Sequence, residues 1–140
     1  MQTLEPKPRV FISHSAKDTW LARQIASHIQ RGAETFLDSD NLHFGDDFED
    51  KILEAARDST ELLVLLTPWS VNRPYIWMEV GLFWGNRRMI GVLYGIEPKE
   101  LATDERMPIA LKKLDLVDLN GIDSYFSQLK ARVWSWSKNV

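Results

Sequence analysis

Glu79 is the side chain whose neighbours most favour chemistry. It stands in Pro74-Tyr75-Ile76-Trp77-Met78-Glu79-Val80-Gly81, and on a helix its neighbours at three and four residues are Tyr75, Ile76, Leu82 and Phe83. A carboxylate among such side chains is partly desolvated, which disfavours its charged form. Perturbed carboxylates in clefts are candidates for binding or catalysis. The alternative, a surface glutamate on an amphipathic helix, stays open on pattern alone.

Other groupings are weaker. His14, Ser15 and Asp18 invite a Ser-His-Asp reading, but adjacency in sequence does not give triad geometry, and a turn with a helix cap accounts for the same residues. The segment Asp38 to Glu49 offers acids at the first, third and twelfth positions of a calcium loop. Leu42 at the fifth and His43 at the sixth, where glycine is needed, count against that. It reads as a solvated loop with an apolar tip, Leu42 and Phe44, suited to contact with a ligand or another subunit. His14, His28 and His43 lack zinc-ligand spacing, and there is no Gly-x-Gly-x-x-Gly or phosphate-binding loop. No metal site is expected. Trp69, Tyr75, Trp77, Phe83 and Trp84 crowd one short segment, and whether all pack inside is open; Trp134 and Trp136 read as packing residues.

These residues need elements to hold them. Val10 to Ser13, Thr35 to Leu37, Glu61 to Thr67, Met89 to Tyr94 and, more weakly, Leu114 to Leu119 read as strands. Between them, Asp18 opens a helix with Leu21, Ile25 and Ile29 on its apolar stripe, closed by Gly32. A second helix follows an Asp46/Glu49 cap signature, with Phe48, Ile52, Leu53 and Ala56 as its buried face. A third starts at Pro74 and runs to about Trp84, burying Ile76, Val80 and Phe83. A fourth runs from Ile122 to about Ser137. Glu61 to Thr67, apolar on both faces, is the sheet's middle. The alternation predicts a flavodoxin-like doubly wound five-stranded parallel sheet with helices on both faces, and a ligand rim at the strand C-termini: Ser13 to Lys17, Asp38 to Asp46 and Thr67 to Glu79.

At 140 residues, 44% hydrophobic and 26% charged, the chain fits one domain over 1–140, with residues 1–8 as a flexible N-terminal segment. The formal charge of -3 offers no basic footprint for nucleic acid. The absence of cysteine fits a reducing compartment, so a cytoplasmic protein is expected. With neither a signal-type apolar run nor a stretch near the ~20 apolar residues of a span, no membrane partner is expected.

Three blocks together resemble the TIR (Toll/interleukin-1 receptor) domains, specifically their NAD-consuming enzymatic branch. Val10-Phe11-Ile12-Ser13-His14-Ser15-Ala16-Lys17-Asp18 resembles the first TIR box, and Phe36 to Ile52 the second strand and BB loop. Leu63 to Ser70 with Tyr75 to Gly81 resembles the third strand and the helix bearing the catalytic glutamate. Where the family commonly has tryptophan four residues before that glutamate, this chain has Tyr75. The resemblance implies that Glu79 is catalytic, that His14, Ser15, Asp38, Phe44, Gly45 and Tyr75 line the substrate site, and that NAD+ is the substrate with no separate cofactor. It implies cleavage of the nicotinamide–ribose bond to give ADP-ribose or a cyclic or conjugated form. It further implies self-association completing the site through the BB loop, and an anti-phage arrangement similar to Thoeris, in which a nucleotide signal reaches a separate effector. A non-enzymatic TIR adaptor remains the alternative. A deoxyribosyltransferase-like enzyme is a second rival; a response-regulator receiver needs an aspartate where Thr67 stands.

Overall fold

The computed structural model describes residues 6–37, 45, 47–105, 109–112 and 114–139. Five strands, β1 Arg9–Ser13, β2 Glu34–Leu37, β3 Glu61–Leu66, β4 Arg88–Leu93 and β5 Asp115–Asp118, form one parallel sheet in the order β2-β1-β3-β4-β5. This is the expected doubly wound order, which reverses direction between β1 and β3. Ser13, the last residue of β1, lies opposite Val64, two residues before the end of β3, and Val64 lies opposite Gly91, so β3 and β4 run past the end of β1 at the switch point.

The helices are α1 Thr19–Ile29, α2 Phe48–Asp58, α3 Pro74–Leu82, α4 Pro98–Thr103, α5 Ile109–Lys112 and α6 Ile122–Lys138. Strand side chains alternate between faces, so β3 feeds two cores. Leu62, Val64 and Leu66 pack with Ile52 and Ala56 of α2, Ile76 and Val80 of α3 and Phe83, which caps α3. Leu63 and Leu65 pack on the other face with Leu21, Ile25 and Ile29 of α1 and Tyr125 and Leu129 of α6. All six β3 residues are buried. Each such aliphatic side chain contributes roughly 1.5–3 kcal/mol relative to exposure, which is why a central strand reads as one apolar run.

Several boundaries differ from expectation. In α2 the buried stripe is Ile52, Ala55 and Ala56, while Phe48 is 54% and Leu53 44% exposed. One residue rotates a helix by about 100°, so Leu53 turns away from the sheet that Ile52 meets. The cap is Asp47, whose Oδ1 accepts from the Asp50 amide at 3.2 Å, one residue later than the Asp46/Glu49 signature. The turn from Ala16 to Asp18 is 3-10, and α1 starts after it. α4 and α5 were not foreseen: six and four residues are too short to show a 3.6-residue period. Trp134 is 60% exposed, with the Lys138 ammonium 3.7 Å from its ring centre, so it is not a packing residue.

Candidate functional site

The C-terminal end of β1 sets the site. Phe11 packs toward α3, its ring 5.4 Å from that of Phe83, and two residues on, by the strand's period, Ser13 faces the same side. On α3, Pro74 occupies the first turn, and Glu79 follows five residues later, about 7.5 Å along the axis. Strand and helix thus bring together residues 66 apart in sequence: the Ser13 hydroxyl donates to Glu79 Oε1 at 2.6 Å. Both residues are 1% exposed. A short hydroxyl-to-carboxylate bond of this kind is stronger than one between neutral groups.

Beyond β1 the chain is tied down by a second polar network. Ser15 Oγ accepts from the Lys17 amide at 3.2 Å and donates to Asp18 Oδ2 at 3.2 Å. The same Asp18 oxygen accepts from Thr67 Oγ1 at 2.7 Å, joining the β1 and β3 ends. Ser70 closes the β3 end, donating to the Leu65 carbonyl at 2.6 Å and accepting from the Thr67 amide at 2.9 Å. His14 Nδ1 lies 2.8 Å from the Ser15 carbonyl oxygen; a carbonyl only accepts, so the proton of that bond is on Nδ1. The Ser15–Asp18 contact therefore belongs to a cap, and the His14 ring faces a backbone oxygen there, not a serine hydroxyl. The turn-and-cap reading of these residues holds.

A cleft of about 390 Å³ opens beside this pair, lined by His14 to Lys17, Thr19, Arg73, Tyr75 and Ile76. His14, Ser15 and Tyr75 are thus brought together. Tyr75, 41% exposed, is one turn before Glu79 on the same helical face. Glu79, 1% exposed, does not line the cleft itself and lies behind its wall. Gly45 has φ +92°, a left-handed conformation that favours glycine. Asp38 and Phe44, with Leu42 and the other residues of 38–44 and Asp46, lie outside the described residues. Among the described residues no cluster of metal-binding side chains occurs.

The crowded aromatics divide. Phe83 is buried and Trp77 half-buried with its Nε1 donating to the Val71 carbonyl at 2.9 Å, whereas Trp69, Tyr75 and Trp84 are exposed. Sequence reasoning placed Ser13, Lys17 and Arg73 within the rim without giving them a role, and missed the Asp18–Thr67 tie. For Ser13 a signal existed: Phe11 and Ser13 share a strand face, and Phe11 is core.

A larger cavity, about 580 Å³, opens at the opposite end of the sheet near Arg87, Arg88, Arg132 and Trp136. Two of its cations already have structural work. Arg132 Nη2 meets both oxygens of buried Glu61, at 2.9 and 2.8 Å, and Arg87 donates to the carbonyls of Ala56, Ser59 and Leu82. The smaller cleft lies at the switch point and beside the buried glutamate.

Comparison with known proteins agrees with this fold. The TIR domain profile matches residues 10–132, and the chain belongs to the TIR domain family. A relative from Brachypodium distachyon, named "Probable 2' cyclic ADP-D-ribose synthase BdTIR", is 30% identical over 101 residues, covering 69% of this chain and 45% of that protein. The chain therefore spans less than half that relative's length. The TIR domain of the Toll-related receptor TRR-2 from Hydra magnipapillata superposes with a TM-score of 0.67 at 18% identity, over 88% of this chain and 94% of that one. A TIR-STING receptor from C. gigas, solved with 2',3'-cGAMP, gives 0.67 at 20% identity, over 86% and 38%. At these identities the two structures establish the fold.

Proposed function

We propose that this TIR domain cleaves the nicotinamide–ribose bond of NAD+, with Glu79 as its catalytic residue. The observation that carries the reading is a buried carboxylate, held by a hydroxyl at the sheet's switch point, next to a cleft whose volume falls in the range of ligand sites. The name of the Brachypodium distachyon relative supports the same reaction class.

The chemistry asks little of the protein. Nicotinamide departs as a neutral molecule, so the leaving group needs no acid, unlike ordinary glycoside hydrolysis with its pair of carboxylates. Glu79 accepts hydrogen bonds from the ribose hydroxyls and stabilises the positive charge that develops as the bond breaks. Lys17, Arg73 and the start of α3 border the cleft and suit the diphosphate of a dinucleotide. His14, Ser15 and Tyr75 line it, and Asp38, Phe44 and Gly45 join them through the BB loop, as the resemblance implies. No separate cofactor takes part. Water attack gives ADP-ribose; attack by the substrate's own adenine gives a cyclic product. The resemblance also carries the reading to a cytoplasmic protein that assembles with itself and signals to a separate effector in anti-phage defence.

A non-enzymatic adaptor is the second reading, favoured by the exposure of Trp69, Tyr75 and Trp84 and by Glu79 lying behind the cleft wall. Chromatography of NAD+ incubated with concentrated purified protein, and of extracts from cells carrying the trigger, separates the two. Nicotinamide appears in at least one setting under the first reading and in neither under the second. The accompanying product distinguishes hydrolysis from cyclisation.

A further inference from the structure

Glu79 is buried on a helix, and a glutamate has three side-chain torsions through which its carboxylate can wander. What limits it is on another element. Ser13 is the last residue of β1, an interior strand paired on both sides, and its backbone is fixed opposite Val64. A serine has one torsion to set, so its Oγ is positioned almost as firmly as the sheet. From there it donates to Glu79 Oε1 at 2.6 Å, with both side chains shut away from bulk water.

We propose that Ser13 is the positioning residue of this site, holding Glu79 by its hydroxyl in the orientation and ionised form that substrate cleavage requires. The proposal rests on the catalytic reading of Glu79 for its consequence, though the hydrogen bond itself does not. Two effects follow from one bond. Strand-borne support holds a functional carboxylate more accurately than a loop does, because the strand cannot shift without breaking its ladder. A donor to the charged form also favours that form, which opposes the desolvation of a 1% exposed carboxylate. A hydrogen-bonded serine beside a carboxylate also has the look of a nucleophile with its base. That alternative predicts a different mutational pattern.

Three variants separate these roles. Ser13→Ala removes the hydroxyl, Ser13→Cys keeps the size with a weak donor, and Ser13→Thr keeps the hydroxyl. Circular dichroism and thermal unfolding identify variants that fold, and Ser13→Cys stands in if Ser13→Ala does not. In nicotinamide release, Ser13→Ala and Ser13→Cys lower kcat roughly 10- to 100-fold with KM within about twofold, and Ser13→Thr recovers most of the loss. Independently of turnover, the Glu79 carboxyl titration, followed by carbon-13 NMR, moves to higher pH in Ser13→Ala and Ser13→Cys. The titratable groups on the two elements carrying the pair, His14 and Asp18 after β1 and Tyr75 on α3, are unchanged in these variants. An unmoved titration together with wild-type kcat would overturn the proposal and leave Ser13 as packing. Activity lost as completely as in Glu79→Gln, without recovery in Ser13→Thr, would overturn it in favour of a nucleophile. A moved titration in a protein that never releases nicotinamide would uphold the support of Glu79 and refute the catalytic reading instead.

Discussion

Glu61 and Glu79 are both almost wholly buried, yet their partners give them different work. Glu61, at the start of β3, is held by Arg132 through both oxygens and by the Tyr125 hydroxyl at 2.6 Å, an arrangement that pins α6 to the sheet. Glu79, near the other end of the sheet, receives a serine hydroxyl beside a cleft. Burial first, and then the Glu61 carboxylate, push the Tyr125 phenol well above its ordinary value of 10.0. The sign of the consequence is fixed: above pH 10 the unfolded chain loses this proton while the native one keeps it, so stability falls as pH rises, and the contribution is intact below pH 10. Wild type should exceed Tyr125→Phe by about 1.5–3 kcal/mol at pH 8, the value of a hydrogen bond to a charged group. The gap should narrow by about 1.4 kcal/mol per pH unit above 10. Urea unfolding at pH 8, 10 and 11 measures it, and a constant gap would show that the phenol is not held protonated. Of these residues Glu79 was legible in sequence because its apolar neighbours are local on one helix. Ser13 and Arg132 were not, because their partners lie 66 and 71 residues away.

Among the elements, β3 was the most legible and the stretch between β4 and β5 the least. An apolar run of six residues admits few readings, whereas the two short helices α4 and α5 turn too few times to show a stripe. Helix faces were legible where a stripe persisted, as with Ile76 and Val80 of α3 and Phe83 at its cap, and misread in α2, where Phe48 and Leu53 are apolar but exposed. β4 carries a constraint invisible in sequence. A Cβ at Gly91 would come within 2.8 Å of Leu116 Cδ2, 3.0 Å of Leu66 Cδ1 and 3.2 Å of Leu114 Cδ1. Leu66 and Leu114 are core residues with little room to yield. Gly91→Ala should therefore cost about 1–3 kcal/mol, despite the gain in strand propensity, by the cost of overpacking a core. Thermal and urea unfolding measure this, and an unchanged or raised midpoint would contradict the packing described.

For the whole molecule, topology does most of the placing. The 2-1-3-4-5 order puts the ends of β1 and β3 side by side, α3 returns across them, and the one rim so formed holds Ser13, Asp18, Thr67, Tyr75 and Glu79. Strand alternation made the sheet and its rim legible in sequence; how deeply Glu79 lies behind the cleft was not, since burial is set by packing between distant segments. Among the described residues no helix is long and apolar enough to cross a membrane. The central claim, that Glu79 performs NAD+ cleavage, is tested most directly by nicotinamide release from NAD+, comparing wild type with Glu79→Gln at matched concentration, both as purified protein and in triggered cells. Wild type should release nicotinamide, and Glu79→Gln, with the same circular dichroism spectrum, should lose it by roughly 100- to 1,000-fold or more, the scale of removing a principal charge-stabilising group. Full turnover by Glu79→Gln would contradict the account.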